Sequence, residues 1–251
     1  MKIAVITGAS SGLGREYVRQ IALRFPELEK IVVIARRKER LEALKTEISA
    51  KVEPLALDLT QESAWKSYAD YLSKIDADVR LLVNNSGLGV LGRFDKRDCE
   101  GQVRMVEVNV RAVVAMTNLT LAFMKEGSKI INISSIASFC PNPNMTVYSS
   151  TKAFISSFSR GLREELRQRR INVLAVCPGP MDTEFLEVAN IKGNSKMFRT
   201  LPYCKPSEVV ERSLRASERN RAVYTNRFFF KFYRVLAKIL PHALVVKMAK
   251  T

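Results

Sequence analysis

The chain has 251 residues, enough for one α/β domain with a full core, and its 47% apolar and 26% charged residues are the balance of a globular protein. Four scattered cysteines (Cys99, Cys140, Cys177, Cys204) and a single histidine exclude a zinc ribbon and a disulfide framework, and predict buried or semi-buried thiols in a reducing compartment. Half of the formal charge of +16 falls between Arg219 and Thr251, where eight Lys/Arg and no Asp or Glu occur, so the basic character belongs to the tail.

The first apolar run, Lys2–Thr7, is too short for a signal sequence, and no stretch reaches the roughly 20 apolar residues of a membrane span. A cytoplasmic protein is expected, with peripheral contact at the inner membrane surface as a further option. Lys2–Thr7 reads as a strand and runs into Thr7-Gly8-Ala9-Ser10-Ser11-Gly12-Leu13-Gly14, which opens a helix over Leu13–Arg24. Glycines there permit a tight turn and close approach to phosphate, while the helix start offers unpaired N–H groups. The spacing is Gly-x-x-x-Gly-x-Gly, which departs from the usual Gly-x-Gly-x-x-Gly.

Strands follow at Lys30–Ala35, Glu53–Leu57, Arg80–Asn84, Lys129–Ile133, Ile171–Val176 and Ala222–Thr225. Helical patterns lie between them at Lys38–Ser49, Gln61–Ile75, Asp98–Met124, Val147–Gln168 and Pro206–Glu218. Alternating strands and helices predict right-handed βαβ crossovers and a parallel sheet covered on both faces. No repeat or linker divides the chain. The second strand ends Ile34-Ala35-Arg36-Arg37-Lys38, with no carboxylate to accept a ribose 2′-OH. Arg36 is the residue expected to grip a 2′-phosphate, with Arg37 beside it and Ser10 and Ser11 adding hydroxyls, so NADP(H) is expected over NAD(H).

Tyr148 and Lys152 are four residues apart, which puts a phenol and an ammonium on one helical face. A nearby cation favours the phenolate, the change a general acid/base requires. Three other features read more plainly. His242 is expected at a surface or interface, Trp65 in packing, and Glu164-Glu165 in a solvated, ion-paired helix end among arginines.

Taken in order, these motifs resemble the short-chain dehydrogenase/reductase family over residues 3–183. The resemblance implies an α/β fold, a single doubly wound Rossmann domain with a seven-stranded, mostly parallel sheet, to which a C-terminal basic amphipathic helix is added. The glycine motif matches Gly8, Gly12 and Gly14, with Leu13 between them, and the catalytic set matches Asn109, Ser135, Tyr148 and Lys152. Ser135, thirteen residues before Tyr148, is favoured over Ser134, which is expected to pack at the strand end. Asp58, in Leu57-Asp58-Leu59-Thr60, matches the aspartate that contacts adenine. Asn84-Asn85-Ser86-Gly87 carries serine where alanine is usual, and Asn85, Leu59 and Gly87 fall among the cofactor positions. Pro178, Gly179 and Thr183 match the nicotinamide loop.

The implied activity is hydride transfer between NADP(H) and a ketone or secondary alcohol. Tyr148 would exchange the proton, Ser135 would hold the substrate oxygen, and Lys152 would lower the tyrosine pKa and bond the nicotinamide ribose. Asn109 would hold a relay water. Residues 1–225 would form the oxidoreductase domain, with a lid near 184–201. Phe185, Leu186, Val188, Ile191, Met197 and Phe198 in that lid predict a small apolar substrate, such as a steroid or bile acid (hydroxysteroid dehydrogenase), a 3-oxoacyl chain or another carbonyl compound (carbonyl reductase). A homodimer or homotetramer is expected.

Residues 226–251 would form an extension in which Arg227, Lys231, Arg234 and Lys238 make one basic helical stripe among aromatic and aliphatic residues. Such a helix suits an anionic membrane surface, an oligomer interface or a cap over the substrate cleft. Nucleic acid is not expected, because the cations are interleaved with bulky apolar residues. Two readings compete with an enzyme: a non-catalytic NADP(H)-binding sensor or scaffold, and a peripheral membrane protein.

Overall fold

The computed structural model describes residues 1–49, 51–191, 195, 198 and 200–249. Seven strands form the sheet: β1 (Lys2–Thr7), β2 (Lys30–Ala35), β3 (Val52–Ala56), β4 (Asp78–Asn84), β5 (Lys129–Ile133), β6 (Asn172–Val176) and β7 (Val223–Tyr224). Their order is β3-β2-β1-β4-β5-β6-β7, and every pairing is parallel, so the sheet is wholly rather than mostly parallel. The order reverses between β1 and β4. In an open parallel sheet this reversal opens a crevice beyond the carboxyl ends of the strands.

The helices are α1 (Gly12–Arg24), α2 (Lys38–Glu47), α3 (Glu62–Lys74), α4 (Cys99–Val106), α5 (Ala112–Leu121), α6 (Thr146–Glu165), α7 (Glu184–Val188), α8 (Pro206–Glu218), α9 (Phe228–Ile239) and α10 (His242–Met248). Two of their starts follow from local chemistry. The Asp98 carboxylate accepts from Gly101 N at 2.6 Å and caps α4. Pro206 opens α8, where a missing N–H costs nothing.

Both faces of the sheet are covered, which explains the unbroken apolar strands. Ile31, Val32, Val33 and Ile34 of β2 are all buried. Burying each such side chain contributes about 1.5–3 kcal/mol, which is why β2 needs no polar alternation. One core layer joins α1 and α8 to the sheet and includes Tyr17, Leu214 and Phe230 of the tail. The opposite layer gathers Tyr68, Leu72, Met116 and Leu162. The buried phenols are satisfied, Tyr17 by Ser213 Oγ at 2.6 Å and Tyr68 by Thr120 Oγ1 at 2.7 Å.

The predicted helix Asp98–Met124 is interrupted. Between α4 and α5, Glu107–Arg111 adopts a π-helical turn that contains Asn109. Periodicity cannot reveal such a bulge, because α5 after it (Ala112-Val113-Val114-Ala115-Met116-Thr117-Asn118-Leu119-Thr120-Leu121) is apolar nearly all round and carries no clear phase. Cys99 is exposed, against expectation, because it opens α4 at the surface; Cys140, Cys177 and Cys204 are buried, and all four are free thiols. Among the described residues, no helix is long and apolar enough to cross a membrane.

Candidate active site

A cavity of about 780 Å³ lies beyond the carboxyl ends of the strands. It runs from the turn after β1, past Tyr148, to the tail, and its size is that of a site for a small ligand. Gly8, Ser10, Ser11, Gly12 and Leu13 line one end, with Arg36, Arg37, Asp58, Leu59, Asn85 and Gly87 nearby. Gly14 does not line the cavity. It lets α1 approach the turn, since a Cβ there would collide with the Gly8 carbonyl. The turn is stitched to β4: Thr7 Oγ1 accepts from Asn85 N and Ser86 N, both at 3.0 Å, and Asn85 Nδ2 donates to Gly8 O at 3.0 Å.

Arg37, not Arg36, reaches the serines: its Nη2 donates to Ser10 Oγ at 3.1 Å and Ser11 Oγ at 3.3 Å. Arg36 is exposed and also lines the cavity. Burial pushes the Asp58 carboxyl up, but the Thr60 hydrogen bonds, followed by the charges of Arg36 and Arg104, hold it below its usual range. The first residue of α2 follows Arg37, so the chain turns there and aims Arg37 back across the glycine turn. Glu184 Oε1 accepts from Arg37 Nη1 at 2.6 Å, and its Oε2 accepts from Arg40 Nη1 at 2.8 Å. Arg37 draws the Glu184 carboxyl down to about 2, helped by Arg40 and Ser11 and opposed by partial desolvation. This cluster therefore fits an anion. Neither Arg40 nor Glu184 stands out in the sequence, although Arg40 lies about one helical turn beyond Arg37.

At the centre of the cavity, Tyr148 is 9% exposed and Lys152 5%. Burial pushes the Tyr148 phenol up to about 12, opposed by its hydrogen bond with Ser135. Burial likewise brings Lys152 down to about 8. The expected lowering of the tyrosine by the lysine is not found. Lys152 Nζ donates to Ile133 O at 2.9 Å and lies 5.7 Å from the centre of the Tyr148 ring, so desolvation dominates both groups.

Ser134 has the structural place expected of it: its hydroxyl donates to Lys152 O at 2.7 Å and meets Ser156 Oγ at 2.9 Å. Ser135 caps the short turn Ile136–Ser138, accepting from Ala137 N at 3.1 Å. Asn109 is buried and anchors the adjoining loop, with Nδ2 donating to Leu88 O at 2.8 Å and Thr151 Oγ1 at 3.0 Å while Oδ1 accepts from Leu88 N at 2.7 Å. It thus spends its amide on the backbone beside Gly87 and on Thr151.

Pro178, Gly179 and Thr183 line the cavity beyond Tyr148. Gly179 N donates to Asn226 Oδ1 at 3.0 Å, and a Cβ on Gly179 would collide with the Phe230 ring. The loop and the tail are therefore packed against each other, a contact that local sequence patterns do not signal. The apolar end is lined by Met145, Phe185, Leu186, Val188 and Phe198, and by Tyr233, Leu236, Leu240 and Val245 of the tail. The lid residue Met197 and the side chain of His242 lie outside the described residues. Trp65 packs as expected, with Nε1 donating to Leu59 O at 2.8 Å, and Glu164 pairs with Arg167 at 3.1 Å on an exposed helix end.

Comparison with known proteins matches residues 2–193 to the short chain dehydrogenase family. The sulfoacetaldehyde reductase 2 of Chromohalobacter salexigens is 34% identical over 190 residues, covering 73% of this chain and 74% of that protein. The very-long-chain 3-oxoacyl-CoA reductase of Bos taurus is also 34% identical, over 74% of this chain but only 61% of the longer bovine protein. Among solved structures, a short-chain dehydrogenase from Sphingobium yanoikuyae in complex with NADPH superposes with a TM-score of 0.79 at 29% identity, covering 97% of each chain. A 3-ketoacyl-(acyl-carrier-protein) reductase from Brucella melitensis complexed with NADH superposes with a TM-score of 0.78 at 27% identity, covering 89% of this chain and 96% of that one.

Proposed function

The chain belongs to the short-chain dehydrogenase family of oxidoreductases, and from that premise we propose that it interconverts a ketone and a secondary alcohol with NADP(H), using Tyr148 as general acid/base. The observation that carries this reading is that Ser135, Tyr148 and Lys152 are all buried and line one cavity that opens onto the glycine turn. A bound nicotinamide supplies or accepts the hydride.

The chain's own residues do the rest. Ser135 and Tyr148 hold the substrate oxygen, and Tyr148 gives up its proton in reduction or takes one in oxidation. General acid/base help of this kind contributes roughly 10²–10⁴-fold. Lys152, brought down to about 8, can be neutral or charged in that range and so balances the proton of the buried phenol. Asn109 fixes the Leu88 backbone beside them. The cofactor preference rests on the anion cluster: Arg37, Arg40, Ser10 and Ser11 suit a 2′-phosphate, and no carboxylate ends β2. An apolar substrate follows from the cavity end formed by Phe185, Phe198, Tyr233 and Leu236, in keeping with a steroid or a 3-oxoacyl chain.

The test is NADPH oxidation with a panel of steroid ketones, 3-oxoacyl thioesters and small diketones. Tyr148→Phe should lose turnover and keep cofactor binding. A variant that retains most of its activity removes the proposed role of Tyr148, and cofactor binding without turnover on any ketone favours the sensor reading.

A further inference from the structure

The four longitudinal faces of α9 have different surroundings. Phe230 and Ala237 are buried against the domain. Phe229, Tyr233, Leu236 and Leu240 line the cavity. Phe228, Phe232, Val235 and Ile239 follow at spacings of four, three and four on the next face, and they are 83%, 56%, 54% and 74% exposed. Arg227, Lys231, Arg234 and Lys238 form the face beyond them. An exposed aromatic and aliphatic stripe thus runs between a cationic stripe and the cavity.

The cationic side opens onto a second groove of about 770 Å³ between α8 and α9. Arg212, Arg219, Arg221, Lys231, Arg234 and Lys238 line it, as does Arg215, which is paired with Glu211 at 2.6 Å. No Asp or Glu lines it among the described residues. Tyr224 and Thr225 also line this groove, and their buried hydroxyls find no hydrogen-bond partner among the described residues. Burial and then the neighbouring Arg160 hold the Arg234 guanidinium below its ordinary range, against a smaller opposing effect of Cys177. The groove is a concentration of positive charge with little internal compensation.

From this arrangement we infer that α9 docks the protein on an anionic phospholipid bilayer, its exposed apolar stripe entering the interface and lipid phosphates occupying the groove between α8 and α9. Apolar and cationic faces on one surface helix are what such an interface selects. A second copy of this chain is a poorer occupant, because a self-paired α9 face brings no Asp or Glu to the cationic stripe. Nucleic acid offers nothing to cover Phe228, Phe232, Val235 and Ile239. Docking also sets the cavity-lining face of α9 beside the bilayer, where an apolar substrate collects. That consequence rests on the proposed oxidoreductase activity, whereas the docking does not.

The experiment is co-sedimentation of the full chain with vesicles of phosphatidylcholine alone or mixed with phosphatidylglycerol, beside NADPH binding as a check on folding. The protein should sediment with the mixed vesicles and remain free of the neutral ones. Lys231→Glu/Lys238→Glu should weaken sedimentation by roughly tenfold or more, and Phe228→Ser/Phe232→Ser should weaken it as well, with NADPH binding kept in both. Tyr148→Phe should sediment like the wild type, which separates this proposal from the catalytic one. Equal sedimentation with neutral vesicles, or none with either kind, overturns the proposal. So does mixed-vesicle binding that ignores the phenylalanine changes. Thermal stabilisation by inorganic phosphate without vesicle binding would overturn it in favour of a soluble-anion site. A dimer in light scattering that Phe228→Ser/Phe232→Ser dissolves, without vesicle binding, would overturn it in favour of a second copy as the occupant.

Discussion

The two ends of the cavity are built in opposite ways. At the sheet end, side chains are held by hydrogen bonds to backbone: Asn85 to Gly8, Asn109 to Leu88, Lys152 to Ile133. At the tail end, apart from the Gly179 N–Asn226 Oδ1 hydrogen bond, position comes from packing, with the Phe230 ring against Gly179 and the Phe139 and Tyr233 rings 6.0 Å apart. Hydrogen bonds fix directions, which a reaction requires, while apolar contacts fix shape and admit replacement. For the activity proposed above, this division would put chemistry at one end and substrate choice at the other.

The strongest way to break this division is at the chemical end. Tyr148→Phe removes one hydroxyl and leaves the packing, so turnover should fall roughly 10²–10⁴-fold while the melting temperature changes little. Phe230→Ala acts at the other end. Phe230 is fully buried, and its truncation should destabilise the protein by about 3–5 kcal/mol, read by denaturant unfolding. In the fraction that stays folded, KM for bulky apolar ketones should rise more than kcat falls. An equal loss in both would mean that the tail also positions the reacting groups through Gly179.

The sheet end is the more legible in sequence for the same reason. Residues that make directed bonds occur in short, ordered motifs, so Gly8, Ser135, Tyr148 and Lys152 can be placed together from their spacing and resemblance. Contacts made by packing between distant segments leave no such mark, and Phe230 against Gly179 is invisible there. Which of Arg36 and Arg37 reaches Ser10 and Ser11 is not legible in the sequence, because the turn into α2 decides it. The π-helical turn at Asn109 is hidden because the helix that follows is apolar nearly all round. The electrostatics of Tyr148 and Lys152 differ from expectation, since spacing reports proximity but not desolvation.

That desolvation gives a prediction for the sheet end. The folded-state value of Lys152 is depressed to about 8, below its ordinary 10.5. The folded protein therefore binds fewer protons at Lys152 than the unfolded chain between these values. The destabilisation from burying the ammonium is fully present below the folded value and is relieved as pH rises toward the unfolded one. Lys152→Met removes this dependence, so its stability relative to wild type should decline as pH rises through that window. Denaturant midpoints of both proteins across the window measure it. A constant difference would mean that the ammonium is not desolvated.

The smallest effect lies where the two ends meet, at Glu184 on the first turn of α7. Its carboxylate is paired with Arg37 and Arg40, the side chains proposed to receive a 2′-phosphate. Carboxylate and phosphate would compete for the same guanidinium donors and repel each other. Glu184→Gln should therefore tighten NADPH several-fold and leave NADH nearly unchanged, since NADH brings no phosphate to this cluster. The gain should shrink with added salt, because these side chains are partly exposed. Fluorescence titration of both cofactors measures the difference. Weaker NADPH binding by the variant would give Glu184 the opposite role, that of holding Arg37 and Arg40 in place for the phosphate.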